Sequence, residues 1–139
     1  MLERNMAAKA TTIEKEEKAQ VPVAVLIVAW LLPGGGHLWQ RRWGRGALLL
    51  ASIGVMFALG LAAGGRFFRI TPGNPVETLG FLGDLSSGLL YLAARFFGYD
   101  APVSPSPAAD YGTKFLLVAG LLNVLCILDA YDIAIGKKT

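Results

Sequence analysis

Residues 32–46 read LPGGGHLWQRRWGRG and stand between two long apolar runs. Pro33 has no N–H and clashes with the preceding turn, and Gly34, Gly35 and Gly36 lack a Cβ, so this stretch predicts a sharp break in a helix. The only histidine of the chain, His37, follows the break directly. Trp39 and Trp43, interleaved with Arg41, Arg42 and Arg45, suit a boundary between hydrocarbon and lipid headgroups.

The composition around this stretch sets the fold class. Of 139 residues, 54% are hydrophobic and 17% charged, with a mean hydropathy of +0.51. A soluble core of this size does not hide that much apolar surface, so an all-α integral membrane protein is expected. Roughly 20 apolar residues cross the hydrocarbon. About four such segments are present, over residues 21–39, 46–65, 78–97 and 111–135, the first broken at the Pro-Gly-Gly-Gly hairpin. They form one four-helix domain, 21–139, behind a polar tail, 1–20. The tail balances four acids against four bases. Thr11 and Glu14 have the spacing of a capping box, which predicts a short helix over Thr12–Lys18. The tail lacks the basic start, apolar core and small-residue cleavage site of a signal peptide.

Two of the segments carry small residues at helical spacing. Ala47, Ala51, Gly54, Ala58, Ala62 and Gly65 recur every three or four residues in the second segment, as do Ala119, Asn123, Cys126, Ala130 and Ala134 in the last. Such residues share one stripe of a helix and predict faces for close helix packing. Asn123 reads as an interhelical hydrogen-bonding residue. In the third segment Asp84, Ser87, Gly88, Tyr91 and Arg95 fall on one polar or small-residue face. Residues 98–109 hold three prolines and predict an extended, irregular loop.

The net charge of +3 is scattered over segment ends, which points to the lipid bilayer as partner and away from nucleic acid. With four spans both termini share a side, and eight Lys and Arg on that side against five opposite lean towards cytoplasmic termini. The single cysteine, Cys126, excludes an intrachain disulfide and a cysteine metal cluster, and no metal site is expected.

Candidate chemistry is sparse. His37 suits axial ligation of a haem or chlorophyll-type pigment, proton handling, a headgroup contact or a structural bond to a backbone carbonyl freed by Pro33. Asp84 and Arg95 are eleven residues apart, about 16 Å along a helix, too far for a direct bond. They mark either the two ends of a polar track through Ser87 and Tyr91 or two interfacial charges of a buried bundle face. Asp129 and Asp132 lie one turn apart close to Lys137 and Lys138, a pattern for interfacial pairing or docking to a neighbouring subunit rather than for a two-carboxylate cation site. No nucleophile elbow, phosphate loop or metalloprotease motif is present, so an enzyme is not expected.

The run Pro33-Gly34-Gly35-Gly36-His37-Leu38-Trp39, followed by Arg42, Gly44, Arg45 and Gly46, resembles the proline-glycine-x-glycine-histidine-x-tyrosine hairpin of small bacterial membrane proteins related to the two-transmembrane-domain family. Trp39 stands in place of the tyrosine, and Arg41 and Arg42 displace a glycine. The closing stretch, GLLNVLCILDAYDIAIG, is similar to the last helix of an uncharacterised four-helix group of bacterial proteins that begin with such a hairpin. The resemblance implies a multi-pass protein of the bacterial inner membrane and supplies no reaction. The expectation is therefore a non-enzymatic accessory subunit or assembly factor of a larger membrane complex, in contact with other subunits or copies of itself. Two alternatives stand beside it: a small transporter or ion-conducting oligomer using the polar face of the third helix, and pigment or haem attachment through His37.

Overall fold

The computed structural model describes residues 1–99 and 106–137, without the side chains of residues 16–22. The centre of the expected proline-rich loop, 100–105, and Lys138 lie outside the described residues. Among the described residues the chain is all-helical: α1 (Leu2–Leu31), α2 (Gly35–Trp39), α3 (Trp43–Ala62), α4 (Pro75–Leu85), α5 (Leu89–Phe96) and α6 (Pro107–Ala134).

Three of these elements differ from the sequence expectation. The polar tail is not separate from the first apolar segment, because α1 runs unbroken for 30 residues. The tail is rich in Ala, Glu and Lys, all strong helix formers, and the Thr11 and Thr12 hydroxyls turn back to the carbonyls of Ala7 and Ala8 at 2.8 Å. Thr11 is therefore a mid-helix residue and not a cap. The second segment starts at Trp43, ahead of the expected residue 46. The third is not one helix: α4 and α5 are separated at Ser86–Gly88, where Gly88 takes φ +60. Two helices, α3 and α6, are long and apolar enough to cross a membrane, and only 22% and 33% of their apolar stretches are buried.

The elements are organised along α6. Its residues Gly112, Leu116, Ala119, Gly120, Asn123, Cys126 and Ala130 are all buried and all fall on one face at helical spacing. Helix α3 lies antiparallel to it, with Arg45 near Asp129 at one end, and Gly60 and Gly65 against Leu116 and Gly112 at the other. Ile53, Phe57, Leu116, Ala119, Cys126 and Ala94 form the apolar core between them.

The remaining helices pair into two returns. The end of α1 runs antiparallel to α6, from Val25 and Ala29 against Ala130 to Trp30 against Asn123, and so stops part-way along it. At Gly34, with φ +75, the chain turns back. Gly36 then lies over Ala29, where a Cβ would come within 2.9 Å of the alanine methyl, so α2 retraces α1 towards the start of α3. From the opposite end α4 runs parallel to α6, with Gly83 beside Leu117 and Ser86 beside Asn123. Helix α5 retraces it, placing Tyr91 edge-on to Phe81 with ring centroids 6.2 Å apart. The Tyr99 hydroxyl then donates to the carbonyls of Leu61 and Gly65 at 3.2 and 2.8 Å. Burial raises this phenol above the ordinary tyrosine range. The two tips meet beside Asn123, where Trp30 Nε1 donates to the Leu85 carbonyl at 3.2 Å.

Candidate functional site

Two polar groups of residues stand out in this apolar frame. The first joins α2 to the end of α6. His37 Nε2 donates to Asp129 Oδ2 at 2.8 Å, a tautomer set by the carboxylate it faces. Arg45 Nη1 stands 3.6 Å from the same oxygen, and Gln40 Nε2 donates to the Ala130 carbonyl at 2.8 Å. The ring is fully buried while the Asp129 side chain is 29% exposed, so the pair sits just inside an edge of the fold. Geometry at the turn brings it together: α2 is a single turn, Gly36 passes close to Ala130, and a Cβ there would lie 2.7 Å from the Ala130 methyl. Arg41 closes the turn in the left-handed region, φ +61, which is uncommon for a residue with a side chain. With Nε2 committed to Asp129, only the buried Nδ1 of His37 is left to coordinate anything.

The second group is the junction of the two returns. Asn123 Nδ2 donates to the Ser86 carbonyl at 2.7 Å and to the Trp30 carbonyl at 3.3 Å, tying both tips to α6. Asp84 Oδ2 accepts the backbone N–H of Phe68 at 2.7 Å and so holds the extended strip after α3 against α4. Glycines make the approach possible. A Cβ on Gly120 would overlap the Gly83 carbonyl oxygen, and one on Gly88 would overlap that of Trp30. Ser87, Asp84 and Asn123 are all 0% exposed.

The sequence-predicted residues are distributed unevenly over this frame. Pro33, Gly34, Gly35, Gly36 and His37 are buried at the first return, whereas Trp39, Gly44 and Arg45 are exposed and Arg42 is half-buried. Asp84 and Ser87 share the junction, but Tyr91 and Arg95 do not continue their track. They belong to α5, which runs back: Tyr91 packs edge-on to Phe67 at 5.0 Å and Arg95 is exposed. Ala119, Asn123 and Ala130 are 0% exposed on the inner face of α6. The stripe of α3 faces the other way: Ala51 and Ala58 are exposed, and nothing lies within 4 Å of a Cβ on Gly54. Inward packing of α3 uses Gly46, Ile53, Phe57 and Gly60, roughly 130° around the helix from that stripe. Asp129, expected to face a partner, turns to His37 and Arg45 within the chain, and Asp132 is half-buried one turn on.

Sequence reasoning passed over Trp30, Gln40 and the glycines Gly83 and Gly120. Trp30 and Gln40 are polar-tipped residues flanking a predicted break, where freed carbonyls need donors, and that was the available signal.

Over residues 24–139 the chain matches the model of a family of unknown function (DUF6677), and it belongs to that family. No curated protein and no solved structure matches it.

Proposed function

We propose that this member of a family of unknown function is a non-enzymatic integral membrane protein, an accessory subunit or assembly factor of a larger inner-membrane complex. Helices α3 and α6 cross the bilayer, and the α1–α2 and α4–α5 returns enter it to part depth from opposite sides. Large apolar side chains on the outer surfaces of both crossing helices support this, among them Leu48 at 68%, Val55 at 59% and Leu125 at 61% exposed. Aromatic residues flank the apolar band at both ends, Trp39 and Trp43 at one and Phe96, Phe97 and Tyr111 at the other. On this topology Arg41, Arg42 and Arg45 join the side of the termini, leaving Arg66, Arg69, Arg95 and Lys114 at the other. That division favours cytoplasmic termini more clearly than four full spans did.

The observation that carries the docking role is the outward face of α3. Ala47, Ala51, Ala58 and Ala62 are exposed along one stripe, which lets another helix approach to backbone distance. Lipid tails need no such stripe. Replacing Ala51 and Ala58 together by leucine should leave the isolated chain as stable as before and dissolve its larger complex, read by native-membrane solubilisation in mild detergent and size analysis with mass spectrometry. Wild-type protein recovered from native membranes as a strict monomer with no companion would overturn the role.

A small transporter or ion-conducting oligomer is a second reading, favoured by the polar junction buried between the returns. Flux in reconstituted vesicles that is lost in Asp84→Asn would support it over docking.

A further inference from the structure

The junction of the returns has a property that goes beyond docking and does not depend on it. We propose that it holds one small monovalent cation of the size of sodium, with Asp84, Ser87 and Asn123 as side-chain oxygen donors.

Three oxygens carry the proposal. Asp84 Oδ1, Ser87 Oγ and Asn123 Oδ1 are buried and have no hydrogen-bond partner, and each belongs to a residue that is 0% exposed. Asp84 stands in the last turn of α4 and Ser87 just beyond it, and both lie beside the stretch of α6 that carries Gly120 and Asn123. The Ser87 N–H bonds the Asp84 carbonyl at 3.0 Å, Ser87 Oγ is 3.1 Å from the place a Cβ on Gly120 would take, and Asn123 follows Gly120 by one turn. Three nearby donors are already spent: Trp30 Nε1 on the Leu85 carbonyl, Asn123 Nδ2 on Ser86 and Trp30, the Phe68 N–H on Asp84 Oδ2. The first turn of α5 opens on the same point, and its Leu90 N–H goes to the Ser87 carbonyl at 3.3 Å. What is left is three unpartnered oxygens, an amide carbonyl, a carboxylate oxygen and a hydroxyl whose single proton can satisfy only one of the other two.

Electrostatics then selects the occupant. An isolated carboxylate in an apolar interior is strongly unfavourable, and such a group is neutralised by a proton or compensated by a partner charge. Arg66, Arg69 and Arg95, at the same end of the fold as the α4–α5 return, are all exposed. A water molecule would satisfy two lone pairs and leave the charge. A hard cation takes oxygen ligands and cancels it. One carboxylate matches one positive charge, and among the described residues no group of three or more His, Cys, Asp or Glu is placed to hold a metal ion. Broken membrane helices that leave carbonyls at mid-depth are a general way of building such sites.

The test uses the full chain, purified in detergent, with thermal unfolding followed in sodium chloride, potassium chloride and choline chloride at equal ionic strength. Sodium should raise the melting temperature saturably by several degrees, potassium less, and choline not at all. Ser87→Ala, which removes a single donor, should move the half-saturating sodium concentration up several-fold, and Asp84→Asn should abolish the response. Should Asp84→Asn fail to fold, line broadening of the sodium NMR signal by wild type, diminished in Ser87→Ala, gives the same answer. Equal melting temperatures in all three salts, or an undiminished sodium response in Ser87→Ala and Asp84→Asn, would mean that the junction is satisfied by a proton or by ordered water and overturn the proposal. Because the purified chain is used without companions, a failed docking role leaves this result unaffected.

Discussion

The two returns do the same mechanical job with different chemistry. At the first, Pro33 and three glycines end the helix by themselves, and the turn is then fastened near an edge by the hydrogen bond of His37 with Asp129. At the second, the chain leaves the helix inside an apolar run at Ser86-Ser87-Gly88, and neutral hydrogen bonds from Asn123 and Trp30 fasten it in the interior. The difference teaches that a break encoded locally needs little tertiary help, whereas a break imposed by neighbours is only as stable as those neighbours.

The largest effect should come from crowding the second tip. Gly88→Ala adds a Cβ to a residue at φ +60 and drives it into the Trp30 carbonyl, so a loss of about 3–5 kcal/mol is expected in reversible unfolding in detergent. Gly73→Ala is the control, since its φ of +85 carries strain but a Cβ there meets nothing within 4 Å, and it should cost only about 1 kcal/mol.

Removing the fastening amide comes next. Asn123→Leu leaves the Ser86 and Trp30 carbonyls buried without that donor and should destabilise by about 2–4 kcal/mol, again by unfolding in detergent. Amide hydrogen exchange should accelerate at both tips together, which a merely local role would not produce.

At the first return the losses should be smaller. His37→Ala removes the bond to Asp129, but Pro33 and the glycines still turn the chain, so about 1–3 kcal/mol is expected by the same measurement. Arg45→Ala should cost less than about 0.5 kcal/mol, because the guanidinium is half-exposed and 3.6 Å from Asp129. If His37→Ala proved as damaging as Gly88→Ala, the contrast between the returns would fail.

The same contrast explains what could be read without a structure. The first break was legible because proline and glycine act on their own backbone, wherever the chain goes afterwards. Ser86, Ser87 and Gly88 carry no such instruction. An isolated glycine within an apolar run is tolerated in a helix, and this one is forced out by Trp30 and Asn123, both far off in sequence. The partnership of His37 with Asp129 spans 92 residues and left no local trace. Its only signal was that each is a polar group next to an apolar run and requires a complement. The stripes of α3 and α6 show a further limit. Periodicity places Ala51 with Ala58, and Ala119 with Ala130, on a common face, but says nothing of whether protein or solvent meets it. Only in α6 is that face covered within the chain.

The long sequence separations across α6 also set a timetable for synthesis. Trp30 and His37 emerge from the ribosome more than 90 residues before Asn123 and Asp129, the groups that complete them. At roughly 5–20 residues per second, the first return waits for about 5–20 s with its carbonyls and its imidazole unmatched. Until α6 arrives, the first return of the proposed topology has no reason to sit below the membrane surface. On the topology proposed above, biogenesis would hold a half-inserted intermediate at the interface, and truncation before Asn123 should yield a product that quality-control proteases remove.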